Sequence, residues 1–297
     1  MKNKVKAYSV TIGLLFFLSS CIGTDAQRIK IDGSATVLTM TQAVVEDFAA
    51  TQAGTEITAS ASGTGGGFQK FVNDEIDIQD ASRPIGMREI ATAKTNDVSY
   101  YEVAIAKDAI IVAVNKTNTW MKDLSEEQLY NIFKADSEVK RWSDINSAWP
   151  ETKINFYVPA LDSGTFDYFH THIMQGTTEV RADVTASQDL NILVRGVEGD
   201  QDALGFFSYA YYQSAKEKVN GLSINGVTPQ EANIISHEYP LTRELYLYIN
   251  EEKYKNKPIV QQFVAYYLEH AKKLAREVGF ISLSDEEYRQ EKAKLAL

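Results

Sequence analysis

Along this chain, short apolar runs give way three times to a Gly/Ser/Thr turn and then to residues with helical spacing. The segments are Arg28 to Phe48 through Gly33-Ser34-Ala35-Thr36, Glu56 to Val72 through Ser62-Gly63-Thr64-Gly65-Gly66-Gly67, and Ile154 to Ile173 through Asp162-Ser163-Gly164-Thr165. Each reads as strand, turn, helix. After the turns, Met40, Val44 and Phe48, then Phe68, Phe71 and Val72, then Phe166, Phe169 and Ile173 make apolar stripes expected to face a core.

Further along, Ala109 to Val114 and Leu245 to Ile249 are unbroken apolar runs of strand length, the pattern of strands buried on both faces. The Leu124-Ser125-Glu126-Glu127-Gln128 segment carries a capping-box start. Ser187 is expected to cap a helix with Leu190, Leu193, Val194 and Val197 on its apolar face and Gly199 at its end, followed by a strand from Ala203 to Phe207. Pro258 opens a helix striped by Ile259, Phe263, Tyr266, Tyr267 and His270, and Ser284 to Lys294 reads as a solvated terminal helix. These elements predict two α/β lobes, one from residues 27–113 plus 239–297 and the other from 114–238, with a cleft between them.

The turns carry the candidate chemistry. Each places free backbone N–H groups and small hydroxyls at a helix N-terminus, where the helix dipole also favours negative charge. One such turn is an ordinary cap; three in one chain point to a protein that surrounds a small oxyanion. A fourth loop, Asp80-Ala81-Ser82-Arg83-Pro84, adds a guanidinium able to offer two parallel hydrogen bonds to a tetrahedral anion, on a backbone stiffened by the following proline.

The N-terminus defines where the chain is expected to work. Lys2, Lys4 and Lys6 precede an apolar stretch from Val10 to Leu18, too short to span a bilayer and typical of an export signal over residues 1–20. Leu18-Ser19-Ser20-Cys21 then resembles the bacterial lipobox, with Cys21 as the lipidated first mature residue. Cys21 is the one cysteine of the 297 residues, so an intramolecular disulfide and Cys-based metal ligation are excluded. Loss of the three signal lysines takes the formal net charge from −10 to −13, which argues against nucleic acid and polybasic membrane contact.

Known catalytic patterns are missing. Gly67 is followed by Phe68-Gln69-Lys70, so the Gly-Lys-Ser/Thr of a nucleotide phosphate loop is absent, as is the Gly-x-Ser-x-Gly elbow. His170-Thr171-His172 is spaced too closely for two ligands on one helix face. No enzyme activity, metal or cofactor is expected.

Taken together, Asp32-Gly33-Ser34-Ala35-Thr36-Val37, Ser62 to Phe68, Asp80 to Ile85, Asp162 to Phe169 and Ala203-Leu204-Gly205-Phe206-Phe207 resemble the phosphate-binding proteins of bacterial high-affinity phosphate ABC transporters, the PstS type. The resemblance runs over nearly the whole mature chain. It implies a two-lobed periplasmic-binding-protein fold of type II, with mixed sheets flanked by helices and dehydrated phosphate held in the cleft. The ligand contacts it implies fall on Ser34, Thr36 and Val37, on Ser62, Gly63, Thr64 and Gly65, on Ser82 and Arg83, and on Asp162, Ser163, Gly164 and Thr165. It further implies a monomer, exported and anchored at the membrane through Cys21, that serves the permease subunits. The best-known branch has an Arg before its Ser-Gly-Thr turn, whereas Val158-Pro159-Ala160-Leu161-Asp162 has none. Its charge role would then pass to Arg83, and the carboxylate that accepts the phosphate proton would be Asp80 or Asp162. Molybdate, tungstate or sulfate binding and a secreted phosphate-ester hydrolase are the competing readings.

Overall fold

The computed structural model describes residues 27–52, 54–176 and 179–297. The export signal and Cys21 lie outside the described residues.

The first two strand–turn–helix units form as the spacing predicts, and a third follows them in the chain. Strand β1 (Arg28–Gly33) runs into helix α1 (Ala35–Ala49), β2 (Glu56–Ala59) into α2 (Thr64–Phe71), and β3 (Ile78–Ala81) into α3 (Met87–Thr95). The chain then enters β4 (Tyr100–Asn115), whose sixteen residues extend well beyond the apolar run at its end. After β5 (Asp123–Leu124), α4 (Glu126–Phe133) and α5 (Trp142–Ile145) come β6 (Asn155–Pro159), α6 (Gly164–Ile173), β7 (Val184–Ser187), α7 (Leu190–Gly199) and β8 (Ala203–Ser208). Next are α8 (Tyr209–Ala215), β9 (Val219–Gly221), β10 (Ser223–Ile224) and α9 (Glu231–Ile235). The chain ends with β11 (Thr242–Asn250), α10 (Glu251–Asn256), α11 (Pro258–Glu277) and α12 (Asp285–Lys294).

One mixed sheet has the order β2-β1-β3-β11-β4-β8-β6-β7, with β9 also paired to β4. Strands β2, β1 and β3 are mutually parallel, as are β8, β6 and β7. Strand β4 is shared: Tyr100–Ala109 pairs antiparallel with β11, and Ile110–Val114 pairs antiparallel with β8. The length of β4 therefore joins the two halves of the sheet through one backbone.

Each half has its own packing. Met40, Val44 and Phe48 of α1 are buried against β1, β11 and α11, where Phe48 meets Phe263 edge-on at 5.4 Å between ring centroids. In the other half, Phe133 sits edge-on to Phe156, Phe169 and Phe206, and Phe169 stacks on Phe206 at 4.1 Å. Burying rings of this size contributes roughly 2–3 kcal/mol each by area. These clusters hold the parallel strands whose carboxyl ends carry the turns.

Two local expectations change. Asp189, not Ser187, caps α7, its carboxylate accepting from the Asn191 N–H at 2.9 Å, because Ser187 is taken into β7 and accepts from the Asp189 N–H instead. The terminal helix α12 is capped by Ser284 as expected but is not wholly solvated. Its Tyr288 is buried and donates to the Ile105 carbonyl at 2.8 Å, which fixes the C-terminus against β4. Among the described residues, no helix is long and apolar enough to cross a membrane.

Candidate functional site

The helix starts bring hydroxyls together because each turn follows a strand of the same sheet. Ser34 caps α1, its Oγ accepting from the Thr36 and Val37 amides at 3.2 and 3.4 Å. Asp32 ties the first two turns, its carboxylate accepting from the Gly33 amide at 2.7 Å and the Ser62 amide at 2.8 Å while pairing with Lys70. Burial alone would raise the Asp32 carboxyl, but Lys70 and these amides hold it below its ordinary value. Asp32 is thus a fixed anion that shapes the turns.

Five hydroxyls from four segments converge. Ser34 Oγ donates to Ser82 Oγ at 2.9 Å, Thr64 Oγ1 lies 3.2 Å from Ser82 Oγ, and Thr36 Oγ1 lies 3.1 Å from Thr165 Oγ1. All five residues are buried. The N-termini of α1, α2 and α6 meet here. No side chain caps α2, so its first-turn amides face the cluster without an intrahelical partner. The Ser62 hydroxyl is buried with no hydrogen-bond partner, beside Gly66.

Close backbone approach sets two positions. Gly63 has φ of 83°, and a Cβ there would lie 2.2 Å from the Asp162 carbonyl oxygen. A Cβ on Gly164 would lie 2.1 Å from both Ser82 Oγ and Thr64 Oγ1. The turn before α6 therefore packs directly on the turns of the other half. Ser163 caps α6, its Oγ accepting from the Phe166 amide at 3.0 Å.

Three charged residues that the sequence offered make their hydrogen bonds or packing outside the hydroxyl cluster. The Asp162 carboxylate accepts from Gln188 and makes no hydrogen bond to the cluster hydroxyls, although its Cγ lies 3.6 Å from where a Cβ on Gly63 would stand. Asp80 sits mid-strand in β3 on the face packed by α1 and α11, beside Thr41 and Tyr267, and both its carboxylate oxygens lack a hydrogen bond. Its neighbour Gln79 takes the opposite face and donates to the Thr64 carbonyl at 3.0 Å. Burial, reinforced by the charge of Asp32, pushes the Asp80 carboxyl up to about 8; the Thr41 hydroxyl opposes this without reaching hydrogen-bond geometry.

Arg83 stands at the rim. Its guanidinium donates to both Glu89 oxygens at 2.9 and 2.7 Å and, through Nε, to Asp167 of α6 at 3.0 Å. Burial works against its charge, but the two carboxylates overcome this and raise its pKa. Burial raises the Asp167 carboxyl in turn, with Arg83 partly offsetting it. Asp167 and Arg83 flank Gly65, each 3.9 Å from where a Cβ there would stand. A cavity of about 590 Å³ lined by Arg83, Pro84, Met87, Glu89, Asp167 and Tyr168 opens at the same rim.

Sequence reading missed a second arginine. Arg243, at the start of β11, is buried and paired with buried Asp108 of β4 at 2.7 Å. It also donates to Thr165 Oγ1 at 2.9 Å and to the carbonyls of Gly164 and Ser82 at 3.1 and 3.3 Å. The available signal was Lys107-Asp108 interrupting an apolar strand run, since a carboxylate buried there needs a cation.

The chain that carries this arrangement has relatives. The profile of the PBP superfamily domain matches residues 22–270. Protein SphX of Synechocystis sp. is 40% identical over 283 residues, covering 93% of this chain and 84% of that protein. The phosphate-binding protein PstS of Staphylococcus haemolyticus is 32% identical over 310 residues, covering 98% and 96%. A crystal structure of a possible phosphate binding protein from Planctomyces limnophilus superposes with a TM-score of 0.72 at 37% identity, covering 91% of this chain and 97% of that one. The two-lobed α/β periplasmic-binding-protein fold expected from the sequence is the fold of this chain. This chain belongs to the PBP superfamily and, within it, to the PstS-type phosphate-binding proteins.

Proposed function

We propose that this protein captures inorganic phosphate outside the cytoplasm and delivers it to the permease subunits of an ABC transporter, without catalysing a reaction. The observation that carries the reading is the convergence of five buried hydroxyls from four segments on three helix N-termini. Such a site supplies oriented donors to every oxygen of a small dehydrated anion, while the acidic surface is screened beyond about 8–10 Å. The ligand set comprises Ser34, Thr36, Ser62, Thr64, Ser82 and Thr165 through their hydroxyls, and Val37, Gly63, Gly65, Ser163 and Gly164 through their turns. Arg83 closes the rim.

The lobes are residues 27–113 with 239–297, and 114–238, with β4 and β11 as the connecting pair. The mature chain acts as a monomer anchored through lipid on Cys21, and mass spectrometry of the membrane fraction that finds an unmodified Cys21 would remove the anchor from this reading.

A second reading, binding of sulfate, molybdate or tungstate, draws on one observation: neither Asp80 nor Asp162 reaches the hydroxyl cluster to accept a phosphate proton. The names of the relatives favour phosphate. Calorimetry on the purified mature protein decides between them. Phosphate is expected to bind tightly and sulfate at least about 100-fold more weakly, a gap of about 2.7 kcal/mol. Tight sulfate or molybdate binding with no heat from phosphate refutes the ligand assignment.

A further inference from the structure

All five N–H bonds of the Arg243 guanidinium have acceptors. Nε and one Nη2 hydrogen go to Asp108 Oδ2 at 3.1 and 2.7 Å, the other Nη2 hydrogen to Thr165 Oγ1 at 2.9 Å, and Nη1 to the carbonyls of Ser82 and Gly164 at 3.3 and 3.1 Å. Asp108 is itself fixed, accepting from the Tyr209 amide at 2.9 Å. Arg243 and Asp108 are directly opposed residues of β11 and β4, the strand pair both halves of the sheet share. A planar fork saturated in this way has one orientation.

That orientation constrains Thr165. A hydroxyl has one proton and two lone pairs. With Arg243 donating to its oxygen, Thr165 has its own proton free to point away from the guanidinium, on the side where Thr36 Oγ1 lies at 3.1 Å. The same guanidinium holds the Ser82 carbonyl from one half and the Gly164 carbonyl from the other, next to the two residues whose atoms meet at the cluster.

We propose that Arg243 is a positioning residue for oxyanion binding: it fixes the Thr165 hydroxyl as a donor into the site, ties the two halves together at the shared strand pair, and supplies positive charge whose strength Asp108 sets. The inference rests on the oxyanion reading above. Arg83 cannot fill this role while it serves Glu89 and Asp167, because two carboxylates outweigh its single charge. Arg243 faces one carboxylate, and its contact with Thr165 carries its field to the ligand.

The test is a double-mutant cycle read by phosphate and sulfate calorimetry on folded protein. Arg243→Gln is expected to weaken phosphate binding at least 100-fold, with Arg243→Lys recovering part of it, since an ammonium keeps the charge but cannot reach all the acceptors. In a Thr165→Val background the same Arg243→Lys change should lower affinity less than threefold, against more than tenfold in the parent. Asp108→Asn, which leaves the guanidinium charge uncompensated, should strengthen sulfate binding relative to phosphate. A purely structural ion pair predicts lower melting temperatures with affinity and anion preference unmoved. Should Arg243→Gln fail to fold, Arg243→Lys and Thr165→Val still complete the cycle. Parent protein that binds phosphate or sulfate, with Arg243→Lys binding equally tightly or losing the same factor with and without Thr165, overturns this inference alone. Parent protein that binds no oxyanion overturns the reading of function and this inference with it.

Discussion

Gly164→Ala is expected to abolish tight phosphate binding while leaving a folded protein. The added methyl carbon would stand 2.1 Å from Ser82 Oγ, 2.1 Å from Thr64 Oγ1 and 2.9 Å from Thr64 Cβ, distances at which something must move. Neither neighbour is the free end of a long side chain. Ser82 Oγ is held by Ser34 and Thr64, and Thr64 begins α2 on the opposite half. The methyl therefore separates α6 from the other two helix N-termini. Within α6 itself the change is harmless, because alanine is a better helix former than glycine by up to about 1 kcal/mol. Affinity should fall at least about 100-fold, or about 2.7 kcal/mol, with the ligand-free melting temperature changed by only a few degrees. Calorimetry and thermal unfolding of the same preparation check this. Affinity within threefold of the parent would mean that the contact of Gly164 with Ser82 and Thr64 has no part in binding.

The turns were legible because their chemistry is local. Gly, Ser and Thr at the end of an apolar run mark a helix start whatever the rest of the chain does, and Ser34, Thr36, Thr64, Ser82 and Thr165 do meet in space. The charged residues were not legible, because a charge is placed by its partner. In sequence Arg83 reads as a donor to the anion, yet Glu89 in the first turn of α3 and Asp167 from α6 take its guanidinium. Arg243 and Asp108 are 135 residues apart, and only the register of β11 on β4 sets one beside the other. Asp162 shows the reverse failure: adjacency to a cap residue in sequence did not fix where its side chain points.

The fold divides along the same line. Periodicity found the buried stripes of α1 and α6 because a helix repeats its face every 3.6 residues regardless of context, whereas on α11 Ile259, Phe263 and Tyr267 are buried as expected but Tyr266 and His270 are half-buried. It found only the end of β4, since Tyr100 to Asp108 mixes charged and aromatic residues whose burial depends on β11, α11 and α12. Lys107 illustrates the point: it is buried on the strand by pairing with Glu287 of α12 at 2.8 Å. No local pattern announces that pairing.

Asp80→Asn should remove the pH dependence that this carboxyl imposes on folding and leave phosphate binding in place. The Asp80 side chain is fully buried and its pKa is pushed up to about 8, against 3.8 for the ordinary group. Between those values the native protein keeps a proton that the unfolded chain has released. The contribution of Asp80 is therefore fully present below the ordinary value and is lost as pH rises through about 8. The slope is about 1.4 kcal/mol per pH unit, and the loss across the window is on the order of 6 kcal/mol. Asparagine has the same shape and no charge, so this slope disappears, although its amide brings a buried donor with an unmade hydrogen bond, costing about 1–3 kcal/mol. The variant is expected to be less stable than the parent at pH 4 and more stable at pH 8, with the two curves crossing between. Denaturant unfolding at several pH values isolates Asp80 as the difference between the curves, whatever the other carboxylates contribute. Parallel curves would show that Asp80 is not held neutral in the core. A large loss of phosphate affinity in the variant would instead tie Asp80 to the site, because Ser82 of the hydroxyl cluster follows β3 only two residues after Asp80.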